Sequence, residues 1–533
     1  MEISMMNRQA GVVKPDLFPF RTVSGSHKST RLLSGSTRVQ FHTTIDKRRV
    51  GGVKAVRSEI AVDEKQSQQS ISKPKRTEPV RLFVGLPLDS VSECSVVNHS
   101  KAIAAGLRAL KLLGADGVEL PVFWGVVQPE SLDRFDWTGY LTLAHMVRDA
   151  GLLLRVSLHP YAHTFPGFPI PQWLESVSDS DPDLLFTDRS GRRRHGCLSF
   201  SVDELPVLSG KTPLQALETF FASFRDSFAD LFGSVITDVM VGLGPDGELR
   251  YPSIPSVASR TQVSAVGEFQ CYDKYMLANL KHQAENTGNP LWGLAGPHDA
   301  PGYNETPNSD GFFKDHGGSW EAPYGQFFLS WYSNLLLGHG DRVLSIASKV
   351  FDDLPVRLSG KVALVHAWHR TRARAAELTA GYCDYDAVAQ VFARNSCGVV
   401  VPGMELLDGE QRDACSSPES VMAEIMAACE RHGVPVTGEN SSAAAAAATG
   451  FRRINKCLLS SSAVETFTYQ RMGAEFFSPE HWPLFTAFVR GMTELELTGD
   501  DVVSGKETLA LPMNAAAAPA TSVGRNDREM QTV

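Results

Sequence analysis

Several protein classes are argued against by what this chain has little of. Its eight cysteines, Cys94, Cys197, Cys271, Cys383, Cys397, Cys415, Cys429 and Cys457, are scattered, with no CxxC and no paired spacing. That pattern argues against a zinc ribbon or a disulfide scaffold and for free, mostly buried thiols. No apolar run approaches the roughly 18–20 residues needed to span a bilayer, so no membrane partner is expected. The net charge is −9 and the body of the chain carries no basic stripe, which argues against nucleic acid. His163, His195 and His316 stand apart from other ligand-type side chains, so no metal is expected, and no motif asks for a cofactor. With 43% hydrophobic and 21% charged residues over 533 positions, the chain can bury one large core or two medium ones.

Acidic residues are scarce at the N-terminus. Arg8, Lys14, Arg21, Lys28, Arg31, Arg38, Lys47, Arg48, Arg49 and Lys54 face only Glu2, Asp16 and Asp46 before Glu59, with serine and threonine clustered from Thr22 to Thr44. This is the pattern of an organellar transit peptide, expected over residues 1–56. Residues 57–79 read as a polar, disordered linker, and 511–533 as a disordered Ala/Pro/polar tail.

From Val80 onward apolar strands alternate with longer amphipathic stretches, the grammar of βα units around a parallel sheet. Strands are expected at Arg81–Leu86, Gly117–Phe123, Leu152–His159, Val235–Met240, Lys361–His366, Gly398–Val401 and Val434–Thr437. Helices are expected at Ala102–Leu113, Trp137–Gly151, Leu214–Phe232, Glu268–Ala284 and Tyr324–Val350. The aromatic face of the last (Phe327, Phe328, Trp331, Tyr332) reads as core. The expected fold is one (β/α)₈ TIM-like barrel over residues 80–510, with long loops. The run Arg192-Arg193-Arg194-His195 reads as a solvated loop, and the end of the chain, from the alanine run Ala443–Ala448, as weak in structure.

Two glutamates share one local grammar. Glu248 follows a strand and a glycine-rich turn, Gly242-Leu243-Gly244-Pro245-Asp246-Gly247, and Glu439 follows Val434-Pro435-Val436-Thr437-Gly438. Barrel enzymes place catalytic carboxylates just past the C-terminal ends of strands. Two such carboxyl groups are what glycoside hydrolysis needs, one as acid for the leaving oxygen and one as base or nucleophile.

The segment Gly242–Ser253 (Gly-Leu-Gly-Pro-Asp-Gly-Glu-Leu-Arg-Tyr-Pro-Ser) resembles plant β-amylase. So do Gly267–Tyr275, Gly311–Lys314, Phe327–Asn334, Ala375–Tyr382 and Pro169–Trp173, and the likeness runs from about Val84 to Phe485. Members of that family are inverting exo-hydrolases that release maltose from α-1,4-glucan ends. The resemblance implies Glu248 as general acid and Glu439 as the base activating water, with carboxylates about 6.5–9.5 Å apart. It also implies substrate contacts at His159, Lys361, His366, Asn440 and Arg471, and residence in the plastid (chloroplast) stroma.

Departures from the family pattern concentrate in the groove. The glycine-rich lid after the third strand, with its essential aspartate, is replaced by the shorter, acid-free Pro160-Tyr161-Ala162-His163-Thr164-Phe165-Pro166-Gly167-Phe168. A lid needs hinges to move and polar groups to bind. Pro121 stands where the family has a sugar-binding aspartate, a loss of about 1.5–3 kcal/mol in binding. Pro402 replaces a threonine that holds base and water, Ala367 a sugar-stacking ring, and Ser442 a leucine seated between glucose rings. The expectation is a β-amylase fold whose turnover is weak or absent, acting in starch degradation by binding starch, a maltooligosaccharide or another starch-degrading enzyme. The alternative is an active β-amylase. The aromatic loop Tyr161–Phe168 is expected either to contact a protein partner or to refill the vacated groove.

Overall fold

The computed structural model describes residues 79–162, 170–254, 265–303, 305–309, 311–441 and 448–497. Eight parallel strands close into a barrel: β1 (Arg81–Gly85), β2 (Gly117–Phe123), β3 (Leu153–His159), β4 (Ile236–Val241), β5 (Arg357–Lys361), β6 (Gly398–Val401), β7 (Val436–Glu439) and β8 (Val464–Tyr469). Each pairs with its neighbour in sequence, and β1 closes on β8 from Arg81↔Thr466 to Val84↔Tyr469. The expected (β/α)₈ barrel is the observed fold.

Alternation along the strands sorts their side chains. Val118, Leu120, Val122, Leu154 and Val156 are buried in the apolar core. The intervening residues meet inside the barrel. Arg155 on β3 donates to Ser359 Oγ on β5 (3.1 Å) and to Thr437 Oγ1 on β7 (3.0 Å). Arg81 on β1 grips Asp238 on β4 at two points (2.8 and 2.7 Å) and reaches Thr466 on β8 (2.9 Å). A polar barrel interior survives because its members bond one another.

Pro121 is tolerated mid-strand for a topological reason. Pairing of β1 with β2 ends at Gly85↔Glu119, where Leu86 N donates to Glu119 O (2.8 Å). Pro121 lies two residues further on, facing the side where β1 has already ended, so its missing N–H breaks no ladder bond there.

Several expected elements move. The long helix expected over Leu214–Phe232 is Pro213–Ser227 followed by a 3₁₀ turn at Ala229–Leu231; Phe224, Phe228, Phe232 and Phe351 pack together at the break. The helix expected from Glu268 begins at Lys274, because Asp273 Oδ1 accepts from the backbone N–H groups of Tyr275 (3.1 Å) and Met276 (2.9 Å) and caps it. The strands expected at Lys361–His366 and Val434–Thr437 are Arg357–Lys361 and Val436–Glu439, so Lys361 and Glu439 are strand-terminal residues. The C-terminal part is ordered, against expectation: helices Ala448–Ser460 and Trp482–Leu497 flank β8, with Phe451, Tyr469 and Phe485 in mutual contact. Arg192–His195 is not a solvated loop. Strand Arg193–Leu198 pairs antiparallel with Leu185–Thr187, Arg193 binds Asp183 (2.9 Å), and Arg194 lies over the Tyr303 ring.

Phe328, Trp331 and Tyr332 are core, and all eight cysteines are free thiols, five of them buried. The segments expected as transit peptide (1–56), linker (57–79, apart from Pro79) and tail (511–533) lie outside the described residues. Among the described residues no helix is long and apolar enough to cross a membrane.

Candidate functional site

Three strands deliver their last residues, and a fourth the residues just after it, to one end of the barrel. His159 ends β3, Lys361 ends β5, Glu439 ends β7, and Gln470-Arg471 follow β8. Beyond β4 the chain turns sharply through Asp246 (φ 57°) and Gly247 (φ 81°), both in left-handed backbone conformation. A Cβ on Gly247 would lie 3.1 Å from the His159 ring, so glycine is required on both counts. The turn is stitched to β5 by Leu249 N donating to Lys361 O (2.8 Å), which sets Glu248 beside Lys361.

Glu248 accepts a 2.6 Å bond from Arg250 Nε, and Arg250 Nη2 binds Asp246 Oδ2 at 2.7 Å. Burial alone would push the Arg250 guanidinium down. The two carboxylates outweigh it and hold the group above its ordinary range.

Glu439 is 1% exposed, and Lys361 Nζ approaches its Oε2 to 2.8 Å, a close ion pair rather than a well-aligned hydrogen bond. Oε1 meets no hydrogen-bond donor among the described residues. Burial opposes the charge on Lys361, but Glu439 and then Glu248 raise its pKa above the ordinary lysine value. One half-buried ammonium thus serves both glutamates. Gly438 is fixed by packing: a Cβ there would fall 2.1 Å from Met404 Sδ.

The rest of the floor ties Arg471 and Asn440 into a network with Glu119, Ser157, Gln470 and Glu405, which the sequence did not single out as site residues. Glu119, 2% exposed on β2, accepts from Ser157 Oγ and from Gln470 Nε2 (2.5 Å). Burial raises its pKa, but Arg471, the Ser157 bond, Arg155 and Gln470 together leave it below the usual carboxylate value. Arg471 donates to Leu86 O (2.7 Å); burial lowers its pKa, opposed by Glu119 and Glu439. A lone charge inside the apolar strand Gly117–Phe123 was the available signal, because buried charges are paired. Asn440 clamps the backbone of Gln470, donating to its O and accepting from its N, both at 2.7 Å. Glu405 Oε1 accepts from Ser441 N (2.8 Å) and Oγ (2.5 Å), tying the loop after β6 to the end of β7.

Glu248, Glu439, Lys361 and Arg471 therefore gather at one end of the barrel, with His159 behind the Glu248 turn and stacked on Phe123 (5.2 Å). His366 stands on the following loop, its Nδ1 2.7 Å from Ser416 Oγ, and burial lowers its pKa. Tyr161 turns inward: its hydroxyl is 3.1 Å from His339 Nε2, and His339 Nδ1 is 2.8 Å from Asp203 Oδ2. That ring packs against the interior histidine, whereas residues 163–169 and Ser442 lie outside the described residues. Among the described residues no group of three or more His, Cys, Asp or Glu could hold a metal ion.

A buried carboxylate with one unused oxygen, an ammonium beside it and a second carboxylate across the barrel mouth form an acid–base constellation for polar substrates. Residues 83–496 match the model of glycosyl hydrolase family 14. The chain is 47% identical over 527 residues to a protein of Arabidopsis thaliana named inactive beta-amylase 9, covering 96% of this chain and 97% of that protein. It is 40% identical to beta-amylase 2, chloroplastic, of Oryza sativa subsp. japonica, covering 81% of each chain. The solved catalytic domain of the β-amylase from Paenibacillus polymyxa superposes with a TM-score of 0.65 at 26% identity, covering 77% of this chain and 98% of that domain. The chain belongs to glycosyl hydrolase family 14, the β-amylase family.

Proposed function

We propose that this protein serves plastid starch (α-1,4-glucan) degradation as a β-amylase-fold binding protein, with turnover lost or very weak. The observation that carries this reading is the 47% identity, along 96% of the chain, to a relative named inactive. The groove agrees with it. Pro121 offers no acceptor to a sugar hydroxyl, Pro402 offers no hydroxyl to hold a water, and Tyr161 anchors the start of the loop after β3 on His339. In this reading Glu248 and Glu439 keep the positions of general acid and general base, and His159, Lys361, His366, Asn440 and Arg471 face or support the glucan. Residues 1–56 direct the chain to the plastid stroma, as the chloroplastic naming of the rice relative supports. The bound partner is α-glucan or another starch-degrading enzyme.

A second reading, an active inverting β-amylase releasing maltose, is favoured by Lys361 holding Glu439 at 2.8 Å beside Glu248. One assay decides between them. The full chain and its Glu248→Gln variant are given soluble starch and maltose release is followed. Indistinguishable traces are expected; release well above the variant establishes the enzymatic reading instead. Retention of the full chain in starch-containing gels checks the binding half.

A further inference from the structure

An open cleft of about 890 Å³ lies on the flank of the barrel, between the helices Pro323–Val350, Ala375–Ala380, Tyr385–Arg394 and Pro418–His432. None of Glu248, Glu439, Lys361 and Arg471 lines it. Its volume falls in the range of about 300–1,000 Å³ that holds small ligands.

Every arginine of its wall is already paired, while Asp384 accepts from the Asp386 backbone N–H (3.0 Å). Arg372 pairs with Glu321 at 2.5 Å, Arg374 grips Glu424 at two points (2.7 and 2.9 Å), and Arg431 grips Asp386 at two points (2.9 and 2.8 Å). On the floor the buried Glu377 is bound by His369 (2.8 Å) and by the Tyr385 hydroxyl (3.0 Å). An anionic ligand would have to displace one of these counter-ions, and breaking a pair costs more than the replacement returns. An apolar peptide would strip water from the same groups and give nothing in exchange.

A neutral polyol avoids both costs. Each two-point pair leaves guanidinium N–H groups and carboxylate lone pairs unspent, and a hydroxyl both donates and accepts. The Trp320 indole N–H, also in this wall, has no acceptor among the described residues. Between the polar groups Ala423, Ala427, Leu378 and the Trp320 ring offer apolar area to the C–H faces of a sugar.

We propose that this cleft is a second glucan-binding site, taking a short stretch of neutral α-glucan chain away from the barrel mouth. It rests on the glucan-binding reading above and gives that reading a bivalent form: one chain or granule surface engaged at two places, with avidity in place of turnover.

The test uses the full chain and retention in gels containing soluble starch. Ala427→Trp fills the cleft from the 418–432 helix and leaves the three ion pairs intact; Ser330→Trp fills it from the opposite wall. Lys361→Ala disables the barrel mouth. Each variant is checked for a wild-type thermal transition, and the two cleft fillings on separate walls guard against one of them misfolding. Both cleft variants are expected to weaken retention about tenfold or more, and to remove what remains in the Lys361→Ala background. Maltotetraose binding at the mouth should stay unchanged in both cleft variants. Retention unaltered by both fillings, but lost with Lys361→Ala, overturns the second site and leaves the glucan reading standing. A wild-type chain that no starch gel retains overturns both.

Discussion

Replacing Glu119 by leucine separates a buried network that merely fills space from one that holds the groove together. Glu119 is 2% exposed, accepts from Ser157 and Gln470, and stands in the field of Arg471 and Arg155. Leucine removes both acceptors and the negative charge that the buried Arg155 and the half-buried Arg471 feel. Each donor left without its acceptor in the interior, Ser157 and Gln470, costs about 1–3 kcal/mol, and loss of the negative charge beside the two arginines adds to it. Glu119→Gln keeps the hydrogen-bonding capacity and loses only the charge, so its cost should be smaller, about 1–3 kcal/mol. Acid should erase the difference. The folded carboxyl sits below its ordinary 4.5, so its contribution is complete above that value and disappears as pH falls through the lower, folded one. Urea unfolding of wild type and both variants at neutral pH, and again well below pH 4.5, measures this directly. A Glu119→Leu protein within about 1 kcal/mol of wild type at neutral pH would refute the claim that this carboxylate holds the network of Ser157 and Gln470 together. A loss that is the same in acid would instead assign it to packing.

Two further perturbations test neighbouring parts of the same argument. Burial pushes the Asp273 carboxyl up to about 7, so its native form keeps a proton that the unfolded chain has lost above 3.8, and stability declines as pH rises between those values. Asp273→Asn retains the acceptor for Tyr275 and Met276, and should melt above wild type at about pH 8 but level with it at about pH 4; an equal gap at both would sink the assignment. Gly438→Ala drives a methyl to 2.1 Å from Met404 Sδ and should cost about 1–3 kcal/mol. Adding Met404→Ala should return part of it, and strict additivity of the two losses would show that they do not meet.

Parts of the site were legible for a definite reason. Glu248 and Glu439 each follow an apolar run and a glycine, and a barrel converts that local pattern into position, since strand ends converge at one mouth. Lys361 was named as a contact but misplaced at the start of its strand. Its neighbours Val362 and Ala363 are apolar like a strand, and only pairing with β4 and β6 shows where the ladder stops. The helix wrongly begun at Glu268 fails similarly: Asp273 was a readable cap, overruled by apolar residues before it. Tyr161 read equally well as surface or filling, and its contact with His339 lies 178 positions away.

The sequence by itself determined the alternation of strands and helices, the barrel and the family, because side-chain period and turn residues act over a few positions. Which polar side chains satisfy the buried charges was decided only in three dimensions. Glu119 meets Gln470 across 351 residues, and Arg155 meets Thr437 across 282. The Gly242–Ser253 stretch holds both Glu248 and the arginine that occupies it, Arg250, but not the lysine that Glu248 shares with Glu439. Electrostatic partners are set by distance through the folded interior, and no local pattern encodes that distance.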